Sequence, residues 1–279
     1  MTITLCCADK TLDLSRPVVM GVLNVTPDSF SDGGRFLAVE AAVAHGLRLI
    51  EEGAAIVDIG GESTRPGAAP VTTDEEIRRV LPVVERIHQA APEVIISVDT
   101  SKPEVIREVA AAGAGLLNDV RAFQEPGALE AAAASGCALC LMHMQGDPRT
   151  MQRAPSYVDV VKEVKAFLLD RAQACRAAGV ASQRLAIDPG FGFGKTLEHN
   201  LELLRHLREL ASGEWPVLVG LSRKSIVGTL TGRAAGERVH GSVALAVIAA
   251  MNGARIIRAH DVAATVDALK VVSAVLEGS

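Results

Sequence analysis

The strongest constraint on this chain is a unit that recurs along it: a short apolar run ending in polar residues, a polar loop, a helical pattern, then glycine. Its clearest copy is residues 53–66, G-A-A-I-V-D-I-G-G-E-S-T-R-P, in which 56–59 reads as a buried strand between glycines. Comparable strands are expected at 18–24, 95–99, 116–118, 138–142, 185–188, 217–220 and 256–258. Helical patterns lie between them, at 37–52, 73–90, from 103, 128–134, 156–178, 197–210, 239–252 and 262–277. Thr73-Asp74-Glu75-Glu76 and Ser101-Lys102-Pro103-Glu104 read as N-terminal caps. Gly53, Gly113, Gly136, Gly179 and Gly253 each follow a helix, where a left-handed residue is cheapest as glycine.

Eight such units in a chain of 279 residues predict an α/β fold, a (β/α)8 TIM barrel in a single domain. Residues 1–17 are expected to be an N-terminal lead-in, a short hairpin over one barrel end, and residues 18–279 the barrel domain. An open doubly wound sheet would place a glycine fingerprint after its first strand, where Asn24-Val25-Thr26-Pro27 stands instead. The net charge of −5 offers no global attraction for nucleic acid or a membrane. The longest apolar run, 243–251, is too short to span a bilayer, and five unevenly spaced cysteines suit reduced thiols in the cytoplasm.

Barrel chemistry sits at the carboxyl ends of the strands. Those ends carry Asn24, Asp58, Asp99, Asn118 with Asp119, His143, Asp188, Ser222 with Lys224, and Arg258 with His260. Asp58 and Asp119 are assigned mainly to structure. Arg65, Arg223, Lys224, Arg258 and His260 make a local positive rim suited to phosphate oxygens. Asp99, Asn118, Asp188 and Lys224 offer donors and acceptors to a polar heterocycle. Phe30, Phe36, Phe123, Phe191 and Phe193 fall in or beside loops, where a ring can stack on a flat ligand.

Three other motifs fail on inspection. In Gly190-Phe191-Gly192-Phe193-Gly194-Lys195-Thr196 the first glycine of a P-loop is replaced by Pro189. Cys137 and Cys140 have redox spacing but lie within an apolar strand, and so read as buried structural thiols. Gly220-Leu221-Ser222-Arg223-Lys224 lacks the second glycine of a hydrolase elbow.

Asn24-Val25-Thr26-Pro27-Asp28-Ser29-Phe30-Ser31-Asp32-Gly33-Gly34 and Asp58-Ile59-Gly60-Gly61-Glu62-Ser63-Thr64-Arg65-Pro66-Gly67 resemble the two signatures of the dihydropteroate synthases, a pterin-binding family. Ser97-Val98-Asp99-Thr100, Leu117-Asn118-Asp119, Met142-His143-Met144-Gln145-Gly146, Asp188 to Lys195, Ser222-Arg223-Lys224 and Arg258-Ala259-His260-Asp261-Val262 match as well.

The resemblance implies a folate-biosynthesis transferase joining 6-hydroxymethyl-7,8-dihydropterin diphosphate to 4-aminobenzoate, with release of pyrophosphate. It implies catalytic roles for Asp99, Asp188 and Lys224, and a pterin held by Asp99, Asn118, Asp188, Lys224 and Phe193. It assigns the diphosphate to Asn24, Thr64, Arg65, Arg258 and His260, and 4-aminobenzoate to Thr64, Pro66, Ser222, Lys224 and Phe30. It further implies Mg2+ as cofactor on Asn24, a homodimer through barrel helices near 242–251, and inhibition by sulfonamides. A methyltetrahydrofolate-binding methyltransferase domain would share Asp99, Asn118 and Asp188 without needing Arg65, Lys224 and both loop signatures. A pterin-binding paralogue without catalysis is the other alternative.

Overall fold

The computed structural model describes residues 3–25, 34–63, 70–147 and 150–277. Two short strands, β1 (Thr4–Cys7) and β2 (Lys10–Asp13), form an antiparallel hairpin. Eight parallel strands follow: β3 (Val18–Asn24), β4 (Ile56–Gly60), β5 (Ile95–Asp99), β6 (Leu116–Asp119), β7 (Ala138–Met142), β8 (Leu185–Asp188), β9 (Leu218–Val219) and β10 (Ile256–Ala259). Their order is β8-β7-β6-β5-β4-β3-β10-β9, and a parallel bridge between Ile187 and Val217 brings the two ends together. The helices are α1 (Gly34–Glu51), α2 (Thr73–Ala90), α3 (Pro103–Ala111), α4 (Ala128–Ala134), α5 (Val160–Ala177), α6 (Leu197–Arg205), α7 (Leu207–Ala211), α8 (Ser225–Thr231), α9 (Val239–Met251) and α10 (Val262–Glu277). The chain is therefore a (β/α)8 barrel.

Alternation along the strands divides the core in two. Val57, Ile59, Ile96, Val98, Leu117, Leu139, Leu141, Ile187 and Ile257 pack outward against the helices. Met20, Ile56, Ile95, Leu116, Ala138, Cys140, Ala186, Leu218 and Ile256 fill the barrel's amino-terminal half, with contributions from all eight strands. The hairpin closes that half from below with Leu5, Cys7, Leu12 and Leu14. Polar groups are thereby confined to the carboxyl-terminal half.

The five helix-exit glycines all have positive φ, from 79° at Gly136 to 106° at Gly113. The caps differ from the sequence reading. The N-cap of α2 is Thr72, whose hydroxyl accepts from Glu75 N, while Glu76 turns away to Lys102. Lys102 heads α3 without a side-chain cap, because the Ser101 hydroxyl donates to Asp119 instead. The helix expected from 156 begins at Val160, capped by Asp159, and the one expected over 197–210 breaks at His206.

The hairpin packs its apolar side chains on the barrel floor, so they should matter to the whole molecule. Leu5→Ala is expected to cost about 2–5 kcal/mol of unfolding free energy, read from the urea midpoint. A loss below about 1 kcal/mol would mean that the hairpin merely rests on the barrel.

Candidate active site

Backbone register sets the site. Asn24, Gly60, Asp99, Asn118 and Cys140 stand side by side on five consecutive strands. Having no side chain, Gly60 leaves a gap: a Cβ there would lie 3.6 Å from Asn24 Oδ1 and 3.9 Å from Asp99 Cβ. One layer deeper, Asp58 is fully buried and accepts hydrogen bonds from Ser97 Oγ at 2.6 Å and Arg258 Nε at 2.6 Å. Asn118 Nδ2 approaches it at 3.5 Å, and Arg258 Nη2 also reaches Asp99 Oδ2 at 3.6 Å.

This arrangement has an electrostatic result. Burial, and then the charge of Asp58, push Asp99 up to about 8, against the pull of Arg258. The buried carbonyl oxygen of Asn118 meets no hydrogen-bond donor among the described residues. Such an orphaned acceptor is costly unless a ligand satisfies it. A carboxyl group and an amide oxygen side by side suit a heterocycle that presents N–H groups.

Across the barrel mouth runs the glycine-rich loop after β8. Asp188 is buried, and its Oδ1 accepts from Gly190 N at 2.7 Å. Burial raises the Asp188 carboxyl above its usual range, with Lys224 opposing. Lys224 donates to Phe191 O at 2.6 Å and lies 4.5 Å from the Phe193 ring centroid, a cation–π contact. Burial lowers Lys224 to about 8, with Asp188 opposing. Lys195 is no phosphate ligand: its ammonium is buried among the carbonyls of His143, Gly190 and Phe193.

The turns after β9 and β10 are tied to each other. Ser222 Oγ accepts from His260 N at 3.2 Å and lies 3.1 Å from His260 Nδ1. Arg223 is left-handed at φ 57° and pairs with Asp261, Nε to Oδ2, at 3.0 Å. Its N–H donates to Ser242 Oγ, and its carbonyl accepts from Arg238 Nη1 at 2.9 Å.

Two members of the expected positive rim carry carboxylate partners: Arg223 pairs with Asp261, and Arg258 with Asp58. The stacking role drawn for the loop phenylalanines fails for two of them. Phe123 and Phe191 are buried in the outer core, the former because Asp119 gathers the N–H groups of Arg121 and Phe123 into a tight turn. Asp119 is structural, as read from the sequence. Thr64, Arg65, Pro66 and Phe30 lie outside the described residues, as does the side chain of Phe36.

Sequence reasoning missed Lys102. Its ammonium bridges Glu62 and the buried Glu76, joining the loop after β4 to α2 and α3. Arg79 Nη1 adds a bond to Gly61 O at 2.9 Å. The signal was present in the acidic first turn of α2, which was attributed to capping alone.

A family model described as pterin binding enzyme matches residues 20–260. The dihydropteroate synthase of Escherichia coli K12 is 58% identical over 265 residues, covering 95% of this chain and 94% of the relative. The chain belongs to the dihydropteroate synthase family. A Yersinia pestis dihydropteroate synthase solved with a sulfonamide drug complex matches at TM-score 0.93 and 56% identity, covering 98% of this chain and 99% of that one. The Xanthomonas albilineans enzyme with 4-aminobenzoic acid matches at 0.93 and 56%, covering 99% of each. This family fold, with the synthases as relatives at such identity, displaces the methyltransferase alternative.

In this family member the β7 and β8 loops touch backbone to backbone. A Cβ on Gly190, which has φ 68°, would fall 1.8 Å from His143 O. Gly190→Ala should lower stability by more than about 1 kcal/mol in urea titration and weaken turnover. An unchanged midpoint would mean that the loops separate freely.

Proposed function

We propose that this family member performs the synthase reaction at the barrel's carboxyl end. The substrates are 6-hydroxymethyl-7,8-dihydropterin diphosphate and 4-aminobenzoate; the products are 7,8-dihydropteroate and pyrophosphate. The observation that carries this reading is the convergence of Asp99, Asn118, Asp188 and Lys224 on one polar well, with an orphaned Asn118 oxygen inside it.

The pterin is assigned to that well, with its N–H groups on Asp99, Asn118 and Asp188 and its ring beside Phe193 and Lys224. The diphosphate is assigned to Asn24, Thr64, Arg65, Arg258 and His260 at the rim. Thr64, Pro66, Ser222, Lys224 and Phe30 are assigned to 4-aminobenzoate. As diphosphate leaves the pterin methylene, positive charge develops on the ring, and Asp99 and Asp188 stabilise it electrostatically. The neutral aniline nitrogen then attacks with its own lone pair. The two loop signatures exclude water from the cation.

Among the described residues no group of three or more His, Cys, Asp or Glu side chains is arranged to hold a metal ion. Asn24 nevertheless offers an oxygen beside the Gly60 gap, and Mg2+ accepts one or two protein ligands together with phosphates and waters. Asn24 is therefore proposed to hold Mg2+, which when bound neutralises diphosphate charge.

Residues 18–279 are taken as the pterin-binding unit and residues 1–17 as its lead-in. No helix among the described residues is long and apolar enough to cross a membrane, and a cytoplasmic location is proposed. Ile248 and Met251 on α9, and Val271 and Val275 on the adjacent α10, are exposed apolar groups suited to a homodimer. Sulfonamides are expected to compete with 4-aminobenzoate.

The test is pyrophosphate release with pterin diphosphate and Mg2+, with and without 4-aminobenzoate. Release should require both substrates and fall about a hundredfold in Lys224→Ala. Tight pterin binding without release would instead make this chain a binding paralogue.

Asp99 must be ionised to accept from the pterin, and Lys224 must be protonated to donate. With both near 8, kcat/KM should rise as Asp99 loses its proton and fall as Lys224 loses its own. The profile is a narrow bell centred near pH 8, and Asp99→Asn should erase its acidic limb. A profile level between about pH 6 and 9 would contradict this assignment.

A further inference from the structure

The glycine-rich loop after β8 bears on two of the assigned pterin groups at once. Gly190 N–H aims the Asp188 carboxylate, and the Phe191 carbonyl holds the Lys224 ammonium. Yet Gly190, Gly192 and Gly194 all have positive φ, at 68°, 81° and 61°. Three such glycines in five residues give the backbone little rigidity of its own. Something outside the loop must fix it.

Lys195 Nζ is the group at its centre. It lies 2.9 Å from Gly190 O and 3.0 Å from Phe193 O, the two carbonyls that flank Phe191 and Gly192. It also lies 2.9 Å from His143 Nδ1 and 3.3 Å from His143 O, on the loop after β7. Burial lowers Lys195 to about 7, with Asp188 opposing, but the three carbonyl oxygens and one ring nitrogen around Nζ are all acceptors, a cage that matches the three N–H groups of the charged form. His143 accepts at Nδ1 as a neutral ring; burial and then the Lys195 charge lower it to about 3. That ring is itself wedged edge-on against Phe167 at 5.0 Å, and Tyr157 Oη holds Gly194 O at 2.8 Å.

Burying an ammonium carries a desolvation penalty that an apolar side chain of the same length would not incur. A cation in this position therefore needs a reason beyond packing. Its hydrogen bonds go to His143 and to the loop backbone rather than to Asp188 or Lys224.

We propose that Lys195 is a positioning residue, a built-in cation that organises the backbone of the β7 and β8 loops so that Asp188 and Lys224 stand ready for the pterin. This inference rests on the synthase reading given above. It assigns Lys195 no contact with substrate.

The experiment compares wild type with Lys195→Met, which keeps length and apolar stem but removes the charge, at a temperature where both are folded. The expected result is a fall in kcat/KM for pterin diphosphate of about tenfold or more, carried mainly by KM, since binding geometry is what has been lost. Lys195→Ala leaves a cavity that propylammonium fills in shape and charge. Added propylammonium should restore part of the activity, and propan-1-ol, of the same shape without the charge, should not. Should Lys195→Met fail to fold, His143→Phe, which removes the Nδ1 acceptor and keeps a ring, should raise the same KM severalfold.

Three results overturn the proposal: kcat/KM within twofold of wild type in Lys195→Met, equal rescue by the alcohol and the amine, or an unchanged KM in His143→Phe. Wild type without turnover would instead overturn the synthase reading, and the pterin dissociation constants of wild type and Lys195→Met would then test the brace alone.

Discussion

One buried carboxylate governs the polar half of this barrel. Asp58 lies below solvent on β4 and ties Arg258 of β10, Ser97 of β5 and Asn118 of β6 to a single point. Its buried charge is stabilised by the half-buried guanidinium of Arg258 beside it. The pair has a consequence one layer up. Asp99 is pushed up to about 8 first by its own burial and then by the charge of Asp58, while Arg258 opposes at longer range. The structural carboxylate beneath the site thus adds to an effect that burial begins.

The same logic explains why the rim carries less free positive charge than its sequence suggests. Arg223 and Arg258 each answer to a carboxylate nearby. Lys224 differs: its ammonium spends one bond on a loop carbonyl and rests on an aromatic face. Its proton affinity is lowered by burial and by the charge of Arg258, with Asp188 and Asp99 opposing.

Much of this was legible in the sequence because it is local. Strands such as Ile95–Asp99 and Ala138–Met142 follow from apolar runs between breakers, and the left-handed exits at Gly53 or Gly179 follow from glycine chemistry. The list of strand-end residues was legible too, since barrel topology gathers them on one face. The partners were not. Arg223 meets Asp261 38 residues on, Lys195 meets His143 52 residues back, and Lys102 meets Glu62 across 40. No periodicity encodes such pairings. Phe123 misled for a related reason: its loop position is real, but Asp119 folds that loop inward.

The hairpin at the amino end has a kinetic meaning. Leu5, Cys7, Leu12 and Leu14 seal the barrel below the carboxylate layer, so the well is blind. Whatever occupies its floor therefore enters and leaves by the rim alone, and a plug of four apolar side chains, far from any reacting atom, makes one mouth serve all traffic.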